Sequence, residues 1–222
     1  MAPHSTLEFL PHEGRPESLF IVLHGFGDTA EGMLGLAGAL SEAFPKAAVL
    51  IPQGFQPSPY PGGRQWFPLE GVNDETRPER VAEVMPQLAA YIREQQDRFG
   101  ILNPDTALVG FSQGGIMALE LSVAHDGLVG RVVAFAARFA KLPSQAPVLT
   151  TIHLLHGDDD DVMPVAHAWA AFEQLTQLKG DATLDTASGV EHFLHPALVQ
   201  CAIDRLQTTI PLRTWQRALG GQ

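Results

Sequence analysis

The order of short apolar runs and longer amphipathic stretches leaves this chain few ways to fold. Leu19–Leu23, Ala47–Ile51, Ala107–Val109, Val129–Ala136 and Thr151–Leu155 are nearly unbroken apolar or β-branched segments of strand length. Runs without polar alternation suit strands covered on both faces, as in a parallel sheet. Thr6–Leu10 and Thr183–Thr186 alternate more and are expected at sheet edges. Between the runs, Val81, Val84, Leu88, Ile92 and Phe99 fall on one helical face, with Pro86 expected to kink or restart that helix. Ile116–Ala124, Val165–Leu178 and Leu194–Leu206 carry further helical patterns. The alternation predicts an α/β fold with a doubly wound, mostly parallel sheet flanked by helices. No repeat or linker divides the 222 residues, so one domain over 1–222 is expected, with a flexible tail over 210–222.

Residues 52–78 break the alternation. Pro52, Pro57, Pro59, Pro61, Pro68 and Pro78 stand there with Gly54, Gly62, Gly63 and Gly71. A loop this long inside a compact domain is usually functional or disordered. Its Trp66 and Phe67 favour ordering against something, and the expectation is a lid or pocket wall.

Composition removes whole classes of function. With 14 basic and 25 acidic side chains the net charge is −11, which argues against nucleic acid and anionic membrane surfaces as partners. Cys201 is the only cysteine, so no intrachain disulfide forms and a reducing cytoplasm is the default location. The most apolar stretch, around Leu128–Ala140, is broken by Arg131 and Arg138, well short of the ~20 residues a membrane span requires. The first residues lack the basic and apolar regions of a signal peptide.

The strongest chemical signal is Gly110-Phe111-Ser112-Gln113-Gly114, placed after an apolar strand and before a helical pattern. A nucleophile elbow needs this context: the serine sits on a tight strand-to-helix turn, and only small residues fit two before and two after it. Composition alone would produce G-x-S-x-G about 0.07 times in such a chain. A serine at its ordinary pKa needs a base within hydrogen-bond reach and a carboxylate to orient that base. Both follow in the expected order. His156-Gly157-Asp158-Asp159-Asp160-Asp161 leaves the strand Thr151–Leu155, and Gly189-Val190-Glu191-His192 precedes the final helix.

His192 is the expected base, because His195 three residues later already lies at the helix start. His24 is expected to shape its glycine-rich loop and His153 to pack in a strand. His4, His12, His125 and His167 are expected in tails, loops or helix surfaces. Asp158, Asp160 and Asp161 all remain candidates for the acid on position alone. An EF-hand fails because Val162 and Met163 follow where Asp/Asn and Gly would be needed. No spaced ligand set points to a metal, and no metal or other cofactor is expected. The developing oxyanion needs two backbone N–H groups. Gln113 supplies one, and Phe26, in His24-Gly25-Phe26-Gly27-Asp28, is the natural second. A dinucleotide loop is disfavoured, since the third glycine, Gly32, comes too late and no acid ends the next strand.

These residues resemble the small serine carboxylesterases related to acyl-protein thioesterases, within the α/β-hydrolase fold. The matching pieces are LHGFGDT (Leu23–Thr29), Trp66-Phe67, GFSQGG (Gly110–Gly115), HGDDDDVMP (His156–Pro164) and GVEH (Gly189–His192), in that order. The C-terminal third looks most like bacterial esterases. The resemblance selects Asp160 as the acid and implies Phe26 and Gln113 as oxyanion donors. Asp161 stands where relatives often carry proline, and its charge should raise one of the two carboxyl pKa values unless it points to solvent. The implied activity is hydrolysis of a small-molecule carboxylic ester or thioester through an acyl-enzyme. The implied residues are Ser112, His192 and Asp160, with Phe26, Trp66, Phe67 and Met163 as an apolar wall. An acyl-protein thioesterase or lysophospholipase-type deacylase is the alternative substrate reading, and a binding protein on an inert hydrolase fold is the alternative class. A homodimer is compatible with the sequence.

Overall fold

The computed structural model describes residues 5–220; His4 and Gly221 lie outside the described residues. The strands are β1 (Thr6–Phe9), β2 (Ser18–Leu23), β3 (Ala47–Pro52), β4 (Gln56–Pro57), β5 (Arg64–Gln65), β6 (Thr106–Phe111), β7 (Arg131–Phe135), β8 (Thr151–Gly157) and β9 (Ala182–Ala187). The helices are α1 (Leu34–Ala43), α2 (Arg77–Phe99), α3 (Gln113–Ala124), α4 (Ala166–Gln177), α5 (Pro196–Thr208) and α6 (Leu212–Ala218). Seven strands form one sheet in the order β1-β3-β2-β6-β7-β8-β9, and β4–β5 make a separate hairpin. Only β1 runs antiparallel, on β3; every other neighbour in the large sheet is parallel. The two alternating runs, β1 and β9, are the edges, as their patterning implies.

Side chains alternate across a strand, and here the alternation feeds two apolar layers. Leu19, Ile21 and Leu23 of β2 join Leu50, Leu108, Val132 and Ile152 in a core packed with residues of α2, α3 and α4. Phe20 and Val22 face the other way, with Val49, Val109, Val133 and Leu155, among residues of α1 and α5. The chain winds from β2 out to β3 on one side and from β6 through β7 and β8 to β9 on the other. The winding therefore reverses between β2 and β6, and in such sheets the crevice at the carboxyl ends of those strands is where ligands bind.

Two local expectations are corrected. Pro86 neither ends nor restarts its helix: α2 is continuous over 23 residues with Pro86 inside it. Pro86 and Ala82, whose carbonyl loses its partner, are both exposed, so water can meet that carbonyl. The inner face, with Val84, Met85, Leu88, Ala89 and Ile92 buried, holds the helix. The run Val129–Ala136 pairs only over Arg131–Phe135, because Ala136 takes a positive φ of 47° and turns the chain out of the sheet. Within the segment expected as a tail, Leu212–Ala218 is helical as α6, and the Leu212 N–H donates to Asp181 Oδ2 at 2.9 Å.

Candidate active site

Ser112 sits between β6 and α3 with φ 51° and ψ −114°, a sparsely populated conformation for a residue with a Cβ. The Ser112 N–H donates to Phe135 O on β7 at 2.9 Å, and its carbonyl accepts from Ile116 N–H at 3.0 Å as α3 begins. The turn requires its glycines. A Cβ on Gly110 would run into the Gly114 carbonyl, and a Cβ on Gly114 into the Leu23 carbonyl. The elbow thereby lies directly against the end of β2.

His192 reaches Ser112 from the loop between β9 and α5. Its Nε2 lies 3.0 Å from Ser112 Oγ, and its Nδ1 lies 2.7 Å from Asp160 Oδ2. The carboxylate accepts, so Nδ1 carries the proton and Nε2 presents its lone pair to the hydroxyl. The Phe111 ring packs on the imidazole, centroids 4.9 Å apart. Asp160 is buried, and its Oδ1 accepts from Val162 N–H at 3.0 Å and Met163 N–H at 2.7 Å. Asp158 keeps its side chain on Ser188, whose Oγ donates to Asp158 Oδ2 at 3.1 Å, and Asp161 is exposed. Among these aspartates the structure brings Asp160 to His192.

Sequence reasoning missed that Asp160 faces two histidines. His156 Nε2 is 3.4 Å from Asp160 Oδ2 and donates to Met163 O at 2.6 Å. Burial pushes the His156 pKa below its ordinary value, against the opposing effects of that bond and the Asp160 charge. His156 thus staples the turn whose amide groups hold Asp160. Met163, expected at the substrate wall, is half-buried at this turn and packs on the core.

On the other flank, a Cβ on Gly25 would lie 3.5 Å from Ser112 Cβ. The N–H groups of Gly27, Asp28, Thr29 and Ala30 are all engaged, by Arg64 O, Gly25 O, Asp28 Oδ1 and Gln53 Oε1. Phe26 N–H has no such partner among the described residues. Gln113 is the first residue of α3, where helix N–H groups have no intrahelical acceptor. Both expected oxyanion donors thus belong to segments that meet beside Ser112. His24 is fully buried, as a shaper of its loop would be: Nδ1 donates to Gly25 O at 2.7 Å and Nε2 accepts from Gly54 N–H at 2.8 Å. Burial lowers its pKa, which fits this neutral tautomer.

The long loop of 52–78 contains β4–β5. Arg64 ties the hairpin to the Phe26 loop in both directions, accepting from Gly27 N–H and donating to Asp28 O at 2.8 Å each. The exposed Tyr60 ring stacks edge-on against Phe26 at 5.7 Å. Trp66 and Phe67 do not form the expected pocket wall. Both are fully buried core residues, because the chain turns them inward under the hairpin. They hold the Gln113 side chain instead: Trp66 N–H donates to its Oε1 at 2.8 Å, and its Nε2 donates to Phe67 O at 2.7 Å. A signal for this was present, since a glutamine at the start of an otherwise apolar buried helix must find partners. No group of metal-ligating side chains is found among the described residues, and no helix among them is long and apolar enough to cross a membrane.

Residues 6–210 match the phospholipase/carboxylesterase family profile. The chain is 41% identical over 205 residues to esterase YpfH of Escherichia coli (strain K12), covering 92% of this chain and 88% of that protein. Its fold superposes on the crystal structure of esterase PE8 with a TM-score of 0.86 at 27% identity, covering 93% and 99% of the two chains. The Bacillus cereus carboxylesterase shares the fold, with a TM-score of 0.78 at 17% identity over 93% and 94% of the chains. With its serine elbow at the sheet's reversal point, this chain belongs to the phospholipase/carboxylesterase family of α/β-hydrolases.

Proposed function

We propose that this protein is a serine esterase that hydrolyses carboxylic esters through an acyl-enzyme. The observation that carries the reading is the continuous relay from Ser112 Oγ through His192 to Asp160, with contacts of 3.0 and 2.7 Å. In this mechanism His192 Nε2 takes the Ser112 proton as Oγ attacks the ester carbonyl. Asp160 holds the imidazole tautomer and offsets the charge of the imidazolium. The N–H groups of Phe26 and Gln113 receive the alkoxide, and fixed donors at that point contribute most of the rate enhancement in such sites. His192 then returns the proton to the leaving alcohol, and water repeats the sequence to free the acid. The half-buried Phe26 and Met163, with exposed Val162 and Phe193, are the apolar side chains offered to the substrate from the segments that carry these residues. The free Cys201 fits a reducing compartment, the cytoplasm.

The test is intact-mass analysis after exposure to a fluorophosphonate, together with hydrolysis of p-nitrophenyl acetate and octanoate. A single adduct on Ser112 is expected, with turnover reduced at least ~10³-fold in a folded Ser112→Ala protein. A Ser112→Ala enzyme with near wild-type turnover overturns the mechanism. No adduct and no turnover in the wild type would favour a binding protein. Rates on long-chain thioesters and lysophospholipids, measured beside the simple esters, separate a deacylase from a carboxylesterase.

A further inference from the structure

The two proposed oxyanion donors come from segments 87 residues apart in sequence, Phe26 and Gln113, and one buried chain of side-chain bonds joins them. The Gln113 side chain leaves the residue whose N–H is one donor and grips the Trp66-Phe67 backbone with both ends of its amide. The Trp66 indole Nε1–H donates to His24 O at 2.8 Å, and its ring packs on the His24 imidazole with centroids 5.2 Å apart. His24 Nδ1–H in turn donates to Gly25 O. That carbonyl belongs to the same peptide plane as Phe26 N–H. In a trans peptide the two groups point in opposite directions, so fixing the Gly25 carbonyl fixes the aim of the Phe26 N–H. Gln113, Trp66 and His24 are at most 2% exposed, so water does not compete for these bonds.

We propose that the Gln113 side chain and the Trp66 indole are positioning residues: a buried strut that sets the spacing and aim of the two oxyanion donors. The inference rests on the Ser112 reading above and deepens it. Neither side chain is assigned a contact with substrate. Trp66 has no exposed surface to offer one, and the Gln113 amide is spent on the Trp66-Phe67 backbone. Their effect on the reaction passes through the peptide groups they hold. Removing a donor from an oxyanion hole costs about 10²–10³-fold in kcat, and displacing a reacting geometry by about 1 Å costs up to ~10²-fold. Loosening the strut is therefore expected to cost about 10–100-fold in kcat.

The experiment uses the full chain and four proteins: wild type, Trp66→Phe, Gln113→Met and the double variant. Trp66→Phe keeps an aromatic ring and removes the N–H; Gln113→Met keeps length and removes both amide bonds. Fluorophosphonate labelling and ester turnover of the wild type come first, and their failure there would remove the Ser112 reading before any variant is compared. With the wild type active, each variant is assayed for kcat and KM well below its Tm. Each is also titrated with an alkyl trifluoromethyl ketone, whose serine adduct places an alkoxide between the donors. The expected result is kcat lower by about 10–100-fold, KM within about threefold, and the ketone Ki raised in parallel with the loss in kcat/KM. The double variant should lose little beyond the worse single one, since both break the same link. Folded variants with wild-type kcat and Ki overturn the strut while leaving the Ser112 reading intact. A rise in KM at constant kcat, or losses that simply multiply, also overturn it. If Gln113→Met does not fold, Trp66→Phe decides alone by its kcat and Ki.

Discussion

The two flanks of Ser112 are built by different means. On the Phe26 flank, three distant segments interlock through fully buried groups: His24 on Gly54 and Gly25, Trp66 on His24, and Gln113 on Trp66 and Phe67. On the His192 flank, the partners sit in short turns. Asp160 is held by two amide groups within three residues of itself and by His156, while Val162 and Phe193 beside it are 65% and 47% exposed. The difference follows from what each flank does in the proposed reaction. Fixed dipoles serve a transition state best when nothing near them yields. A base that moves protons needs its lone pair in the open and a single tether behind it. The contrast implies that substitutions on the His192 flank remove chemistry and spare the fold, while those on the other flank damage both.

The largest effect is expected at His192 and Asp160. His192→Ala should lower kcat by about 10³-fold or more, and Asp160→Asn by a comparable factor through the wrong imidazole tautomer. Thermal unfolding should separate the two flanks: His192→Ala is expected to stay within about 2 °C of the wild-type Tm, because the side chain is partly open and anchors no core. Gly114→Ala is the counterpart on the elbow's side. Its Cβ would meet backbone carbonyls of Leu23 and His24 rather than a flexible side chain. Overpacking of this kind costs about 1–3 kcal/mol or more, which for a chain of this size lowers Tm by about 5 °C or more. Equal Tm losses at Gly114 and His192 would erase the contrast.

Acid sharpens the comparison, because both flanks lean on buried histidines. Burial lowers the pKa of His24 on one flank and of His156 on the other. Three residues before His156 on β8, His153 is fully buried, bonded through Nδ1 to Thr183 Oγ1 and, among the described residues, without a partner at Nε2. Its pKa is pushed down to about 4, first by burial and then by the Arg131 charge. Each of these groups is more basic in the unfolded chain, so below pH 6.5 the unfolded state binds more protons, for His153 down to about pH 4. Their contribution is full above pH 6.5 and is lost as pH falls below it, in the case of His153 through about pH 4. For His153 the loss amounts to roughly 3 kcal/mol. Tm measured from pH 7 to 4.5 should fall, and His153→Leu should flatten the profile. An unchanged slope in that variant would mean that His153 is not the acid-sensitive group.

The fold was legible because burial on both faces writes itself into a strand as an apolar run, and β2, β3 and β8 needed no other clue. The candidate reactive side chains were legible for a related reason. Gly110 and Gly114 are dictated by backbone contact, and His192 stands in a loop before a helix, where little else explains it. Asp160 was not separable from Asp158 and Asp161 by position; what distinguishes it is the inward turn of Val162 and Met163, a backbone conformation that spacing does not encode. The strut was illegible because it pairs Gln113 with Trp66 and Trp66 with His24 across 47 and 42 residues, and single-sequence periodicity carries no such distance. Trp66 and Phe67 were misplaced for that reason: an aromatic pair in a proline-rich loop reads as a wall until the groove it fills is known. Pro86 misled because its clash is judged by rule, whereas here Ala82, whose carbonyl loses its partner, is an exposed residue and five buried neighbours hold the helix.

The smallest expected effect tests the one oddity of the acidic run. Asp161 follows Asp160 directly, and two adjacent carboxylates interfere when they share a dry site. Asp160 is 5% exposed with both oxygens engaged, whereas Asp161 is exposed and its charge is screened by solvent and salt. The backbone turn between them sends the side chains to different media, so the repulsion is spent in water. Asp161→Asn should therefore leave kcat/KM within about twofold of the wild type at low and at physiological ionic strength. A tenfold change confined to low salt would show that the exposed charge reaches His192 through the turn, and the His192 flank would then be as interdependent as the other.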